Sequence, residues 1–257
     1  MAPIGQNGEA LVSVEVAGAT ATIRLQRPPF NQFNEAMLRQ LDAAIAAIEA
    51  DGQISVVRIS SKQRAFSGGA DPAMMQSLVG SAGGATKMMD IVTYWHKVND
   101  RLAALPAITI AEIAGHAFGG GFELALACDL RVAREDVKLG LPEVKAGLLP
   151  GAGGTQRLTR LCGPGVASRL IFGAELVNGR DAEQLGLVQW AMSDDKLVEF
   201  VDSLVGRISA LSPAALRQSK ACIREACPLR PEGVRAEISG IGTLMTTSEA
   251  AQNVFSL

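Results

Sequence analysis

Apolar and polar positions alternate in LVSVEVAG and ATIRLQRP, and Gly18-Ala19 between them predicts a turn joining two short strands. The period then lengthens. Over residues 34 to 50, Met37, Leu41, Ile45 and Ile48 recur on one helical face, with Asn34 placed as an N-cap. SVVRISS predicts a β-branched strand, followed by a loop, QRAFSGGADP. From Pro72 to about Lys87 the pattern weakens, and GSAGGAT predicts a flexible interruption. A helix resumes near Met88 and stops before Pro106; AITIAEIAG predicts a buried strand, GHAFGGGFELALACD a glycine-led helix, and LRVARED another strand.

This order predicts an α/β fold with mostly parallel pairing. After about residue 155 the pattern is chiefly helical, with starts near Gly154, Asp194, Ser212 and Pro231. One unit, strand then glycine loop then helix, occurs twice, at 55 to 79 and at 107 to 128.

Composition narrows the possibilities. With 257 residues, 48% of them hydrophobic, the chain can bury a sizeable core. Only 4% are aromatic, so that core must be built from aliphatic side chains. A net charge of -2 offers no general attraction to nucleic acid or to a membrane surface. Cys128, Cys162, Cys222 and Cys227 contain no CxxC pair, which fits neither a disulfide framework nor a usual zinc spacing. MAPIGQNGEALVSVEV lacks a basic leader and a long apolar run, and a soluble cytoplasmic protein is expected.

Several chemistries lack their motifs. GGGFEL at 119 to 124 and GAGGTQ at 151 to 156 both miss the last glycine of GxGxxG, and neither GxxxxGK[ST] nor GxSxG occurs. His96 and His116 are the only histidines, each readable as a satisfied or exposed side chain, so no metal site is expected.

Glycines at a helix start expose backbone N–H groups that have no intrahelical partner. If GHAFGGGFELALACD and FSGGAD lie side by side, two such groups can converge on one oxygen as an oxyanion hole. The same glycines could instead serve only tight helix-on-sheet packing. Glu123, near that helix start, reads either as a charge favoured by the helix dipole or as a site carboxylate. Glu143, in KLGLPEVKAGLLPGAGG, reads either as a solvated turn residue or as its partner. Taken together, two carboxylates beside an oxyanion hole could share a water, one as base and one as acid, and transfer protons next to a polarised carbonyl.

AFSGGAD, GHAFGGGFELALACD and LPEVKAGLLPGAGGTQRLTRLCG resemble the three signature segments of the crotonase superfamily, and of enoyl-CoA hydratases in particular. The resemblance implies a spiral of βαβ units forming stacked sheets. It places the spiral and active site in 1–195 and helices for oligomer packing in 196–257, as a homotrimer or a hexamer built from two trimers. It implies reversible hydration of a trans-2-enoyl-CoA to a 3-hydroxyacyl-CoA, as in the β-oxidation of fatty acids. No cofactor is implied, the coenzyme A thioester being the substrate.

Carried over by residue, the backbone N–H groups of Ala70 and Gly120 form the hole. Glu123 helps to deprotonate the attacking water, and Glu143 protonates the α-carbon. Gly151 begins a helix whose dipole points at that water. The coenzyme adenine lies along Arg64 to Asp71, with Arg64, Ala65, Gly68 and Asp71 as contacts. Arg64 could meet a phosphate or be a surface charge.

The sequence also departs from the family pattern. Pro72-Ala73-Met74-Met75 stands where relatives commonly carry a lysine, and RPPFNQFN is one residue shorter than the usual segment. The sequence stops at Leu257, just after a phenylalanine, Phe255, that relatives often follow with a basic cluster, so a partner-subunit contact to coenzyme A could be absent or the sequence could be short. Met74, Met75, Met88, Met89 and Trp95 could wall an acyl pocket or be plain core. Other functions compatible with these residues are a double-bond isomerase, which needs one carboxylate, and a non-catalytic acyl-CoA- or RNA-binding protein on the same scaffold.

Overall fold

A computed structural model describes residues 10–226 and 228–254, so Cys227 and Phe255 lie outside the described residues. Val12–Ala17 (β1) and Thr20–Leu25 (β2) form the anticipated antiparallel hairpin, turning through Gly18 at φ +58°. In Glu35–Ala50 (α1), Asn34 Oδ1 accepts the Met37 N–H at 2.9 Å. Met37, Leu41, Ile45 and Ile48 are all buried, as their spacing requires.

One path is then repeated three times: a strand of a large sheet, a three-residue strand of a small sheet, then a helical segment. Val56–Ser61 (β3) leads through Ala65–Ser67 (β4) into Pro72–Leu78 (α2), and Gly84–Ala104 (α3) returns the chain. Ile108–Ile113 (β5) leads through His116–Phe118 (β6) into Gly120–Ala127 (α4). Leu130–Arg134 (β7) leads through Lys138–Gly140 (β8) into a 3-10 turn, Glu143–Ala146. The two repeats expected from sequence are the first two of these.

The remainder is Gly154–Phe172 (α5), kinked at Gly163-Pro164, then Val177–Asn178 (β9), Gly179–Gln184 (α6) and Trp190–Met192 (β10). Asp194–Ser209 (α7), Pro213–Ala226 (α8), Pro231–Leu244 (α9) and Ser248–Val254 (α10) follow. The large sheet has the order β1-β2-β3-β5-β7-β10 and is parallel except for β1–β2. The small sheet, β4-β6-β8-β9, is parallel except for β8–β9.

Two expectations need correction. QRAFSGGADP is not all loop, since it contains β4. The helix expected from Met88 starts earlier, at Gly84, inside GSAGGAT, and the helix that ends the 55-to-79 unit is Pro72–Leu78, where the pattern is weak: Asp71 caps it by accepting the Ala73 N–H at 2.8 Å. β9, α6, β10 and α10 had no clear signal.

Alternation within the parallel strands explains how the layers stack. Val57, Ile59, Ala111, Ile113 and Ala133 enter the main core with α1 and α4, whereas Val56, Ile110 and Val132 pack on Leu197, Val201 and Leu204 of α7. All eight residues of α4 are buried, so this helix runs through the middle of the core rather than along its surface. Among the described residues, no helix is long and apolar enough to cross a membrane.

Candidate active site

The strands of the small sheet deliver two glycine loops to one place. An ideal Cβ added at Gly69 would lie 2.8 Å from Phe118 O and 3.4 Å from Gly120 N, so FSGGAD and the start of α4 abut. Gly120 opens α4, and its N–H has no intrahelical acceptor. Phe33 and Ala70 form an isolated bridge in which Phe33 N–H donates to Gly69 O at 2.7 Å and Asp71 N–H to Phe33 O at 2.9 Å. That pairing leaves the Ala70 N–H out of the ladder. The RPPFNQFN turn packs on this loop, with Gly68 N–H donating to Phe30 O at 2.8 Å.

Gly119 takes φ +50°, and a Cβ there would lie 2.9 Å from Glu143 Oε1. At Gly120 a Cβ would lie 2.3 Å from the Trp95 ring. Positive φ and close approach together account for glycine at these two positions.

Beside the loops lies a cavity of ≈ 170 Å³. The structure brings Gly68, Ala70, Gly120, Glu123, Glu143 and Gly151 to its walls. The apolar side is formed by Met75, Met88, Val92, Trp95 and Ile241, from α2, α3 and α9. Met74 and Met89 do not line it; Met89 packs where Gly242 leaves room.

Both carboxyl groups are held above the ordinary carboxylate range, at about 8. Burial is the leading cause for each, and for Glu123 the neighbouring Glu143 charge adds to it. Their surroundings nevertheless differ. Glu123 Oε1 accepts the Ala152 N–H at 2.8 Å and the Gly154 N–H at 2.7 Å, which favours its charged form. Glu143 Oε2 is buried and has no hydrogen-bond partner among the described residues, which favours its protonated form.

Not every anticipated residue reaches the cavity. Arg64 is exposed and Ala65 buried, and neither lines it. Asp71 also stays outside, its carboxylate held 2.5 Å from Arg27 Nη2 and occupied in capping α2. Gly151 borders the cavity but does not begin the helix. The turn continues through Ala152 and Gly153, and α5 starts at Gly154, with the amides at its start directed at carboxylates.

The sequence reading missed a buried polar group behind this turn. Glu237 of α9, 3% exposed, accepts the Gly153 N–H at 2.8 Å and the Gln156 N–H at 3.1 Å, and the Thr155 hydroxyl donates to it. His96 Nε2 lies 3.0 Å from Glu237 Oε2 without hydrogen-bond alignment. Asn99 donates to Ala152 O at 3.0 Å, as does Arg157 at 3.1 Å. One signal was available: Glu237 stands at helical spacing from Val234 and Ile241, a charge on an apolar stripe. His116, by contrast, is exposed and accepts the Lys138 N–H at 2.9 Å. Among the described residues, no group of three or more His, Cys, Asp or Glu side chains is gathered as a metal site.

Stacked parallel sheets, abutting glycine loops and a buried carboxylate pair define a recognisable class, and comparison with known proteins agrees. The enoyl-CoA hydratase/isomerase family model matches residues 15–249. A crotonyl-CoA hydratase of Syntrophomonas wolfei is 36% identical over 80% of this chain and 78% of its own length. A 2,3-dehydroadipyl-CoA hydratase of Escherichia coli is 34% identical over 88% of this chain and 87% of its own. Among solved structures, Pseudomonas aeruginosa DspI is 32% identical, covers 91% of this chain and 93% of that one, and superposes with a TM-score of 0.79. The chain belongs to the enoyl-CoA hydratase/isomerase family and has the fold of the crotonase superfamily.

Proposed function

We propose that this protein adds water reversibly across the double bond of a trans-2-enoyl-CoA, giving a 3-hydroxyacyl-CoA. The observation that carries this reading is the convergence of Glu123 and Glu143 on one small apolar cavity beside the abutting Gly69 and Gly120 loops. The thioester oxygen accepts from the Ala70 and Gly120 N–H groups. As water bonds to the β-carbon, the double-bond electron pair moves toward that oxygen, and each donor is worth about 2.7–4 kcal/mol to the developing enolate. Glu123, its charge supported by two amides, takes the proton from water. Glu143 starts protonated and gives its proton to the α-carbon. One water is added, and the pair resets by exchanging a proton; its two titrations belong to the pair rather than to either residue.

Coenzyme A lies along the stretch from Arg64 to Asp71, past Ala65 and Gly68, with the exposed Arg64 available to a phosphate. No resident cofactor is needed. The helices in 196–257 pack a homotrimer or a hexamer in the cytoplasm, beside the catalytic spiral of 1–195. Isomerisation needs a single carboxylate, and the presence of two favours hydration.

The test is incubation with crotonyl-CoA and longer or aryl enoyl-CoA thioesters, following loss of enoyl absorbance. Hydration of at least one is expected. No hydration of any of them at high enzyme concentration overturns the proposal.

A further inference from the structure

The carboxylate pair is backed by a third buried carboxylate from a different part of the chain. Three consecutive amides where the turn enters α5 are shared between two acids. Ala152 and Gly154 N–H donate to Glu123 Oε1 at 2.8 and 2.7 Å, while the Gly153 N–H between them donates to Glu237 Oε2 at 2.8 Å. Glu237 also holds the Thr155 hydroxyl and the Gln156 N–H, so it grips both sides of the turn that aims Glu123. Its helix, α9, carries Ile241 one turn further on, and Ile241 forms part of the cavity wall. Docking of α9 therefore closes the cavity and fixes the turn at the same time.

We propose that Glu237 is a positioning residue for the Glu123–Glu143 pair, locking the Ala152–Gly154 turn and standing behind the pair as a further negative charge. The proposal rests on the hydratase reading of the site. Its charge raises the proton affinity of both Glu123 and Glu143. The other ionisable groups facing Glu237 are His96 from α3, at 3.0 Å, and Arg157 from α5, which pairs with Asp100. Glu232 and Arg235, on α9 itself, are exposed and pair with each other.

Two variants separate charge from reach. Glu237→Gln keeps the length of the arm and one of the two acceptor oxygens but removes the charge, so the whole pH–rate profile should move to lower pH by about one unit, beyond any loss of kcat from the acceptor given up. Glu237→Asp keeps the charge but shortens the arm. It should lower kcat by roughly tenfold to a hundredfold, with KM nearly unchanged and the profile in place. Circular dichroism identifies a variant that fails to fold, and the other variant then carries the test.

If the wild-type protein hydrates no enoyl-CoA, the hydratase reading fails on its own. The placement of Glu237 is then tested by infrared titration of the buried carboxyl groups, whose midpoints should fall in Glu237→Gln. Folded variants with kcat within about twofold of wild type and an unmoved profile overturn the proposal, as do unmoved infrared midpoints.

Discussion

Replacing Gly120 with alanine adds one methyl group where the site has no room for it. The new Cβ would lie 2.3 Å from both Cη2 and Cζ2 of Trp95, whereas carbon atoms rest about 3.5–4.0 Å apart. Trp95 cannot retreat easily, because it is 3% exposed and packs against Phe33 with ring centroids 5.0 Å apart. The first turn of α4 must move instead, and the Gly120 N–H moves with it. Overpacking of this kind costs about 1–3 kcal/mol and should lower Tm by several degrees. Loss of the proposed oxyanion donor should lower kcat by roughly 10²–10³. Initial rates of enoyl-CoA hydration read the second effect and thermal unfolding the first. Adding Trp95→Leu should recover part of both, giving a coupling energy of about 0.5–3 kcal/mol in a double-mutant cycle. A Gly120→Ala protein with unchanged Tm and kcat within about twofold of wild type would refute both the packing and the donor role.

Three further outcomes are expected. Asn34→Ala removes the acceptor that caps α1 and should cost about 1 kcal/mol in denaturant unfolding. Burial holds the Glu143 carboxyl, one of a pair that titrates together, well above its ordinary 4.5 and toward about 8, so the native state binds more protons between those values. Its contribution to stability is therefore full below pH 4.5 and is lost as pH rises toward 8. Glu143→Gln should accordingly gain stability over wild type at pH 8, and the gain should shrink toward pH 5, as read by Tm against pH. Ile241→Ala removes part of the apolar wall and should raise turnover of an eight-carbon enoyl-CoA relative to crotonyl-CoA; an unchanged ratio would mean that α9 does not limit the acyl group.

Legibility of the sequence followed the range of the interactions. α1 was readable because its cap and stripe are local, and β3 and β5 because β-branched runs are long enough to show a pattern. β4 and β6 span three residues each, too few for any period, and they form because neighbouring strands pair with them. α3 begins four residues before Met88 because the stretch around Gly84 packs tightly, so weak propensity there is overridden.

At the site, the glycine loops and the two glutamates were visible as motifs, but spacing could not say that the loops meet. The residue pattern places the helix start near Gly154, where α5 begins, and the earlier start at Gly151 implied by the resemblance fails for a tertiary reason. The turn from Gly151 to Gly153 stays non-helical while its amides and those beside it serve Glu123 and Glu237, which come from other helices. Glu237 went unnoticed because its partners lie more than 80 residues away in the chain.

The central claim is that two carboxylates share one proton-transfer task, and single substitution tests it most directly. Glu123→Gln and Glu143→Gln each keep size and hydrogen-bonding shape but cannot exchange the proton. Measured as initial rates of crotonyl-CoA hydration on folded protein, each should lower kcat by at least roughly 10²-fold, the lower end of general acid–base catalysis. If either variant retained turnover within about twofold of wild type, the two-carboxylate mechanism would be contradicted.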